Sequence, residues 1–201
     1  MTKIKLCGLT RPCDIVAANH LRPEYIGFVF VPQSRRCISA AQAARLKKML
    51  CADITAVGVF VNEKPERIAE LLADGVIDAA QLHGQENEEY IELLKLTGKP
   101  VIKTFCLSDR QDVAAAQKSR ADYLLFDSGA GTGRVFDWTW IKEIKRPYFL
   151  AGGLHPGNVS DAVCRLHPYA VDVSSGIETN GLKDQKKMTE FVDSVRKEKR
   201  I

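Results

Sequence analysis

Short apolar, β-branched runs alternate with amphipathic stretches along the whole chain. The runs are Ile4–Cys7, Tyr25–Val31, Thr55–Val61, Ala79–Leu82, Val101–Phe105, Tyr123–Phe126, Tyr148–Ala151 and Ala170–Val173. The intervening stretches predict helices over 12–20, 40–50, 65–73, 88–96, 110–118, 138–144, 159–166 and 186–195. In the third of these, Ile68, Leu71 and Leu72 share one face, and Pro65 suits a first helical turn. In the last, Met188, Phe191, Val192 and Val195 form an i, i+3, i+4, i+7 stripe. Strands that alternate with helices imply right-handed crossovers and a parallel sheet. Eight such units are the number that closes a (β/α)8 TIM barrel. With 201 residues the loops must be short, and residues 1–201 read as one barrel domain. A doubly wound open sheet competes with this reading, but it does not need eight units.

Composition narrows the class. Hydrophobic residues make up 45% and charged residues 27%, as in ordinary globular proteins. No apolar run approaches the roughly 18 residues of a membrane span, and the N-terminus lacks a secretory pattern. The six cysteines, at 7, 13, 37, 51, 106 and 164, show no C-x-x-C spacing. They are expected to be reduced thiols of a cytoplasmic protein, most of them small core hydrophobes, with Cys7 the exception. The net charge of +4 is partly the tail Arg196-Lys197-Glu198-Lys199-Arg200. That tail reads as a solvated helix end, and no nucleic-acid or membrane partner is expected.

In a closed parallel barrel the chemistry lies where strands end. The strand ends here are Cys7-Gly8, the segment 31–36, Val61-Asn62, His83-Gly84, Phe105-Cys106, Asp127-Ser128, Gly152-Gly153 and Ser174-Ser175-Gly176. The turns after strands seven and eight, with Gly152, Gly153, Ser174, Ser175 and Gly176, suit a phosphate group through backbone N–H groups unobstructed by Cβ. Two ordinary tight turns are the bland alternative. Cys7 and Asp127, on strands one and six, suit a general base and a general acid on opposite sides of one substrate. A structural thiol and a turn cap are their alternatives. Arg36 suits a carboxylate clamp or a solvated surface position. His83 suits a ligand, a substrate contact or a satisfied polar group, and no further ligands accompany it to make a metal site. The glycine-rich segment 128–138 lacks a nucleotide-binding spacing and reads as an active-site loop, with Asp137 capping the following helix.

Seven motifs in order carry a resemblance that covers almost the whole chain. They are Lys5-Leu6-Cys7-Gly8-Leu9-Thr10, Gly27-Phe28-Val29-Phe30, Ser34-Arg35-Arg36, Gln81-Leu82-His83-Gly84, Gly131-Thr132-Gly133 with Phe136-Asp137-Trp138, Ala151-Gly152-Gly153-Leu154, and the segment 172–178. Together they resemble the phosphoribosylanthranilate isomerases of tryptophan biosynthesis. Two departures are an arginine at Arg35, where the family usually has proline, and an alanine at Ala130, where it usually has glycine.

The resemblance implies a TIM barrel that uses no metal or cofactor, acts on a small phosphorylated substrate and is a monomer or homodimer. It implies an Amadori rearrangement of N-(5′-phosphoribosyl)anthranilate. Asp127 would protonate the furanose oxygen to open the ring, and Cys7 would remove the C2′ proton. Arg36 would hold the anthranilate carboxylate and the two late turns the phosphate. This division of labour needs a thiolate beside a neutral carboxylic acid. With ordinary pKa values of about 8.5 and 3.9, that order is reversed by about 6 kcal/mol. A pentulose-phosphate epimerase is the rival enzyme, but it should offer several His and Asp metal ligands at strand ends. A synthase of the same pathway would want a lysine there, and Lys103 lies in mid-strand.

Overall fold

The computed structural model describes residues 1–107, 110–128, 137–142 and 144–197, with the side chains of 110 and 111 excepted. The Gly131-Thr132-Gly133 motif, Ala130 and the end of the basic tail lie outside the described residues.

Eight parallel strands close a barrel in the order β1 to β8, with β1 pairing β8. They are β1 (Lys3–Cys7), β2 (Tyr25–Val29), β3 (Thr55–Phe60), β4 (Ala79–Leu82), β5 (Val101–Cys106), β6 (Tyr123–Asp127), β7 (Tyr148–Leu150) and β8 (Ala170–Val173). The helices are α1 (Pro12–Leu21), α2 (Ala40–Lys47), α3 (Pro65–Ala73), α4 (Glu88–Lys95), α5 (Arg110–Gln117), α6 (Val159–Leu166) and α7 (Gln185–Arg196). The expected apolar faces are the buried ones: Ile68, Leu71 and Leu72 in α3, and Met188, Phe191, Val192 and Val195 in α7. Side-chain caps start the helices where the sequence allows. Ser39 accepts from the Gln42 N–H, Asn87 from that of Tyr90, and Asp184 from those of Lys186 and Lys187.

Three elements differ from the pattern reading. The helix expected over 138–144 is a single 3-10 turn, Trp138–Ile141, although Asp137 caps it at the Thr139 N–H as expected. The run Tyr25–Val31 ends as a strand at Val29. There the chain turns to bridge Cys37, and Ile38 donates back to the Val29 carbonyl. After β8 a small antiparallel hairpin appears, β9 (Glu178–Thr179) with β10 (Leu182–Lys183). Asn180 and Gly181 sit at its tip with φ of 53° and 80°. Both residues adopting positive φ is what a two-residue hairpin turn demands.

Strand parity divides the core in two. Ile4, Leu6, Leu124 and Phe126 face the helices, in a large outer cluster. Val57, Ala79, Ile102, Leu125, Phe149 and Ala170 fill the barrel lumen, packed against Tyr25, Tyr123 and Tyr169. Odd positions of β1 therefore look inward, which places Lys3, Lys5 and Cys7 one above another inside the barrel. Arg196, from the basic tail, is not simply solvated: its Nη1 donates to the Leu21 carbonyl at 2.9 Å. Among the described residues no helix is long and apolar enough to cross a membrane.

Candidate active site

Cys7 ends β1 beside Gly27 of β2, its partner in register. A Cβ on Gly27 would lie 2.5 Å from the Cys7 sulfur, so only glycine leaves room for the thiol at that point. Below it, Lys5 is fully buried. Its ammonium donates to Gln81 Oε1 at 2.7 Å and to Asp172 Oδ2 at 2.8 Å. Burial disfavours the ammonium, but the Asp172 carboxylate and Cys7 outweigh it and Lys5 stays charged. Burial pushes the Cys7 thiol above its ordinary range, against the pull of Lys5 and Lys183.

Among the six free cysteines, the expectation that most fill the core is overturned. Only Cys7 is buried, Cys51 is half-buried, and Cys13, Cys37, Cys106 and Cys164 are exposed. Cys13 and Cys164 lie on outward faces of α1 and α6, while Cys37 and Cys106 lie where the chain leaves β2 and β5.

A polar line crosses the barrel from Lys5 towards β6. Gln81 accepts from Lys5, and its amide nitrogen lies 3.3 Å from His83 Nδ1. The other ring nitrogen of His83 lies 3.9 Å from Asp127 Oδ2. Burial lowers the His83 pKa despite Asp127, so the imidazole is neutral near pH 7 and the pair is not an ion pair there. His83 also borders a cavity of about 340 Å³ at the ends of β4 and β5, together with Lys103, Thr104, Phe105 and Cys106. Lys103 has the opposite parity from the lumen residue Ile102, and it is spoken for. It donates to the Gly84 carbonyl at 2.7 Å and to Glu86 at 2.8 Å.

The two late turns come together as their sequence positions require. Gly152 and Gly153 have φ of 86° and 66°, in the left-handed region that favours glycine. A Cβ on Gly152 would meet the Ser128 hydroxyl at 2.3 Å and Asp127 Oδ1 at 3.0 Å, so this turn also crowds the acid. A Cβ on Gly176 would fall 1.9 Å from the Leu154 carbonyl oxygen, which shows how closely the two turns abut. Ser174 and Ser175 precede Gly176 at the entry to a short 3-10 turn. Lys183 Nζ donates to the Ser174 carbonyl at 2.9 Å and lies 3.3 Å from its hydroxyl.

Arg36 is not a solvated surface arginine. Its Nε donates to Glu178 Oε1 at 2.6 Å and its Nη2 to Glu178 Oε2 at 2.9 Å, a bidentate pair. Arg35 and Lys183 also donate to Glu178, at 2.6 Å and 2.7 Å. Burial would raise the Glu178 pKa, but the hydrogen bonds from Arg36 and Lys183 hold it at about 2. Three cations around one carboxylate leave a positive surplus on this side of the rim. Arg36 Nη1 makes no hydrogen bond among the described residues.

All the sequence-derived positions therefore lie around one end of the barrel. Cys7, Arg36 and the late turns share one side, and His83 and Asp127 lie across from Cys7. Lys5, Glu178 and Lys183 were missed as participants. A lysine in mid-run at the parity of Cys7 and the Asn-Gly pair between Glu178 and Lys183 were the available signals. Among the described residues, no group of three or more His, Cys, Asp and Glu side chains could hold a metal ion.

Comparison with known proteins agrees with this architecture. Residues 4–194 match the family described as N-(5′-phosphoribosyl)anthranilate (PRA) isomerase. The chain is 45% identical to the N-(5′-phosphoribosyl)anthranilate isomerase of Endomicrobium trichonymphae, over 98% of this chain and 99% of that one. It superposes on the phosphoribosylanthranilate isomerase structure from Thermotoga maritima with a TM-score of 0.91 and 35% identity, covering 98% of this chain and 100% of that one. A similar structure, in complex with reduced 1-(o-carboxyphenylamino)-1-deoxyribulose 5-phosphate, gives a TM-score of 0.89 at 35% identity with the same coverage. The closed eight-stranded barrel, the ordered motifs and these full-length matches together show that the chain belongs to the N-(5′-phosphoribosyl)anthranilate isomerase family.

Proposed function

We propose that the rim residues carry out the family's isomerisation with Cys7 as general base and Asp127 as general acid. The reaction converts N-(5′-phosphoribosyl)anthranilate to 1-(2-carboxyphenylamino)-1-deoxyribulose 5-phosphate. Asp127 protonates the furanose oxygen, and the ring opens to a Schiff base. Cys7 then takes the C2′ proton, and the resulting enolamine tautomerises to the ketone. The observation that supports this reading is that Cys7 and Asp127 end β1 and β6 at one end of the barrel, with the polar line Lys5–Gln81–His83–Asp127 running across between those strands.

Arg36 takes the anthranilate carboxylate, and the cationic surplus around Glu178 favours an anion there. Gly152, Gly153, Ser174, Ser175 and Gly176 take the phosphate, beside the cation Lys183. Anchoring the substrate at both charged ends fixes C2′ near the thiol, so orientation supplies part of the rate. Neutral His83 contacts substrate as an uncharged donor or acceptor next to Asp127. No metal ion or cofactor is called for, and the enzyme acts as a monomer or homodimer. One solved relative is a monomer generated from the dimeric Thermotoga maritima enzyme.

The test is a fluorescence assay of phosphoribosylanthranilate consumption. Cys7→Ala and Asp127→Ala should each lower kcat by about 10²–10⁴ with little change in KM. Unchanged turnover in either variant removes that residue from the acid–base pair.

A further inference from the structure

We propose that Lys5 is the built-in counter-ion of the Cys7 thiolate, a positioning residue for proton abstraction that Asp172 and Gln81 hold in place. This rests on the reading of Cys7 as base and answers what that reading leaves open: how a buried thiol comes to carry negative charge.

A fully buried lysine is rare and costly unless its charge is matched. Lys5 sits two residues before Cys7 on β1, on the same inward face. Its ammonium has three donors. One goes to Gln81 and one to Asp172, and Cys7 is the neighbouring group on the same strand face whose negative charge favours the ammonium. A lysine needed only to fill the lumen would be matched by a carboxylate fully occupied in return. Here Asp172 Oδ1 has no hydrogen-bond partner among the described residues. The carboxylate thus engages Lys5 through one oxygen.

The charged groups facing Cys7 come from four elements. They are Lys5 on β1, Asp172 on β8, Lys183 on β10 and Arg36 in the loop after β2. The neighbouring strand β2 offers no charged side chain, with Gly27 at the sulfur and Val29 in the same apolar cluster. Lys5 in turn faces Asp172 and Cys7 and is felt by His83 at the end of β4. Lys183 and Arg36 are engaged with Glu178. Lys5 is the cation on the strand that carries Cys7, and of the charged groups it acts on the thiol most strongly. Its attraction outweighs the repulsion from Asp172, and it opposes the burial that otherwise keeps the thiol protonated.

The arrangement predicts shifts of opposite sign in two variants. In Lys5→Met the Cys7 ionisation read from the kcat/KM–pH profile should move to higher pH, with thiolate at neutral pH reduced at least about tenfold. In Asp172→Asn that ionisation should move to lower pH, because the lysine charge is no longer offset. Lys5→Arg should restore most of the wild-type profile. The same shifts should appear in iodoacetamide labelling of Cys7 without substrate, with the other five cysteines replaced by serine. Loss of a merely structural lysine would destabilise the fold without this pattern, so no shift, or shifts of one sign, overturns the proposal. If Lys5→Met does not fold, Asp172→Asn decides: an upward or absent shift is the overturning result. The two readings separate cleanly. Full turnover in Cys7→Ala removes the base but leaves the labelling shifts standing. An inactive Cys7→Ala with unmoved labelling in the lysine variant removes the counter-ion.

Discussion

The two ends of the barrel lumen solve opposite problems with the same strand positions. At the end where the strands start, Lys3 donates to the Tyr169 hydroxyl at 2.8 Å, and the Tyr25 and Tyr123 hydroxyls lie 2.9 Å and 3.3 Å from it. Phe149 packs edge-on to Tyr25 and Tyr123, with centroids 5.3 Å and 5.7 Å away. Burial and the hydrogen bonds of the cluster raise the Tyr25 pKa, and the hydrogen bond to Tyr169 with burial raises that of Tyr123 to about 12. Tyr25 and Tyr123 are neutral phenols, and the work of this cluster is closure. At the other end, inward positions carry Lys5, Asp172, Cys7, His83 and Asp127. Buried ionisable groups cost free energy that aromatic packing does not. A barrel that gathers them towards the strand ends keeps that cost near the end where barrels of this kind carry their chemistry.

Arg36→Ala should give the largest of three effects that bear on this contrast. Removing a bidentate cation from the receiving end should raise KM about 10–100-fold with a smaller change in kcat, which steady-state kinetics will read. A normal KM would return Arg36 to a structural role with Glu178. Tyr169→Phe comes next. Taking away the hydroxyl at the centre of the closed end should lower Tm by about 2–4 °C and leave kcat and KM alone. A kinetic effect there would show that the two ends are coupled. Glu178→Gln gives the smallest effect, in pH. Glu178 is held at about 2 against an ordinary 4.5, so its ionised form contributes stability above pH 4.5 that is lost as pH falls towards 2. Denaturant titrations should show wild type ahead of the variant at pH 7, with the gap closing across that interval. A constant gap would mean that the carboxylate charge is not what binds the two arginines.

The repeating pattern made the barrel legible because each strand and helix carries its own apolar periodicity. It failed where an element is too short to have a period. The two-residue strands β9 and β10 show no alternation, and only the Asn180-Gly181 pair betrays them. Trp138–Ile141 is a single turn for the same reason: Asp137 begins it, yet no second apolar turn follows. Within the candidate site, strand ends could be read off the runs, so Cys7, His83 and Asp127 could be placed at one end of the barrel. Partners were not, because they are set by register between distant strands. Lys5 meets Asp172 across the β1–β8 seam, a pairing that no local window contains. The cysteines show the limit of composition: polarity alone does not say which face of α1 or α6 a small thiol occupies.

The hairpin Glu178–Lys183 has a mechanical consequence. It begins after β8 and grips the segment after β2, so it arches over the end of β1 that lies between them. Arg35, Arg36 and Lys183 all converge on its first residue. Any swing of this arm would carry the three cations as one body.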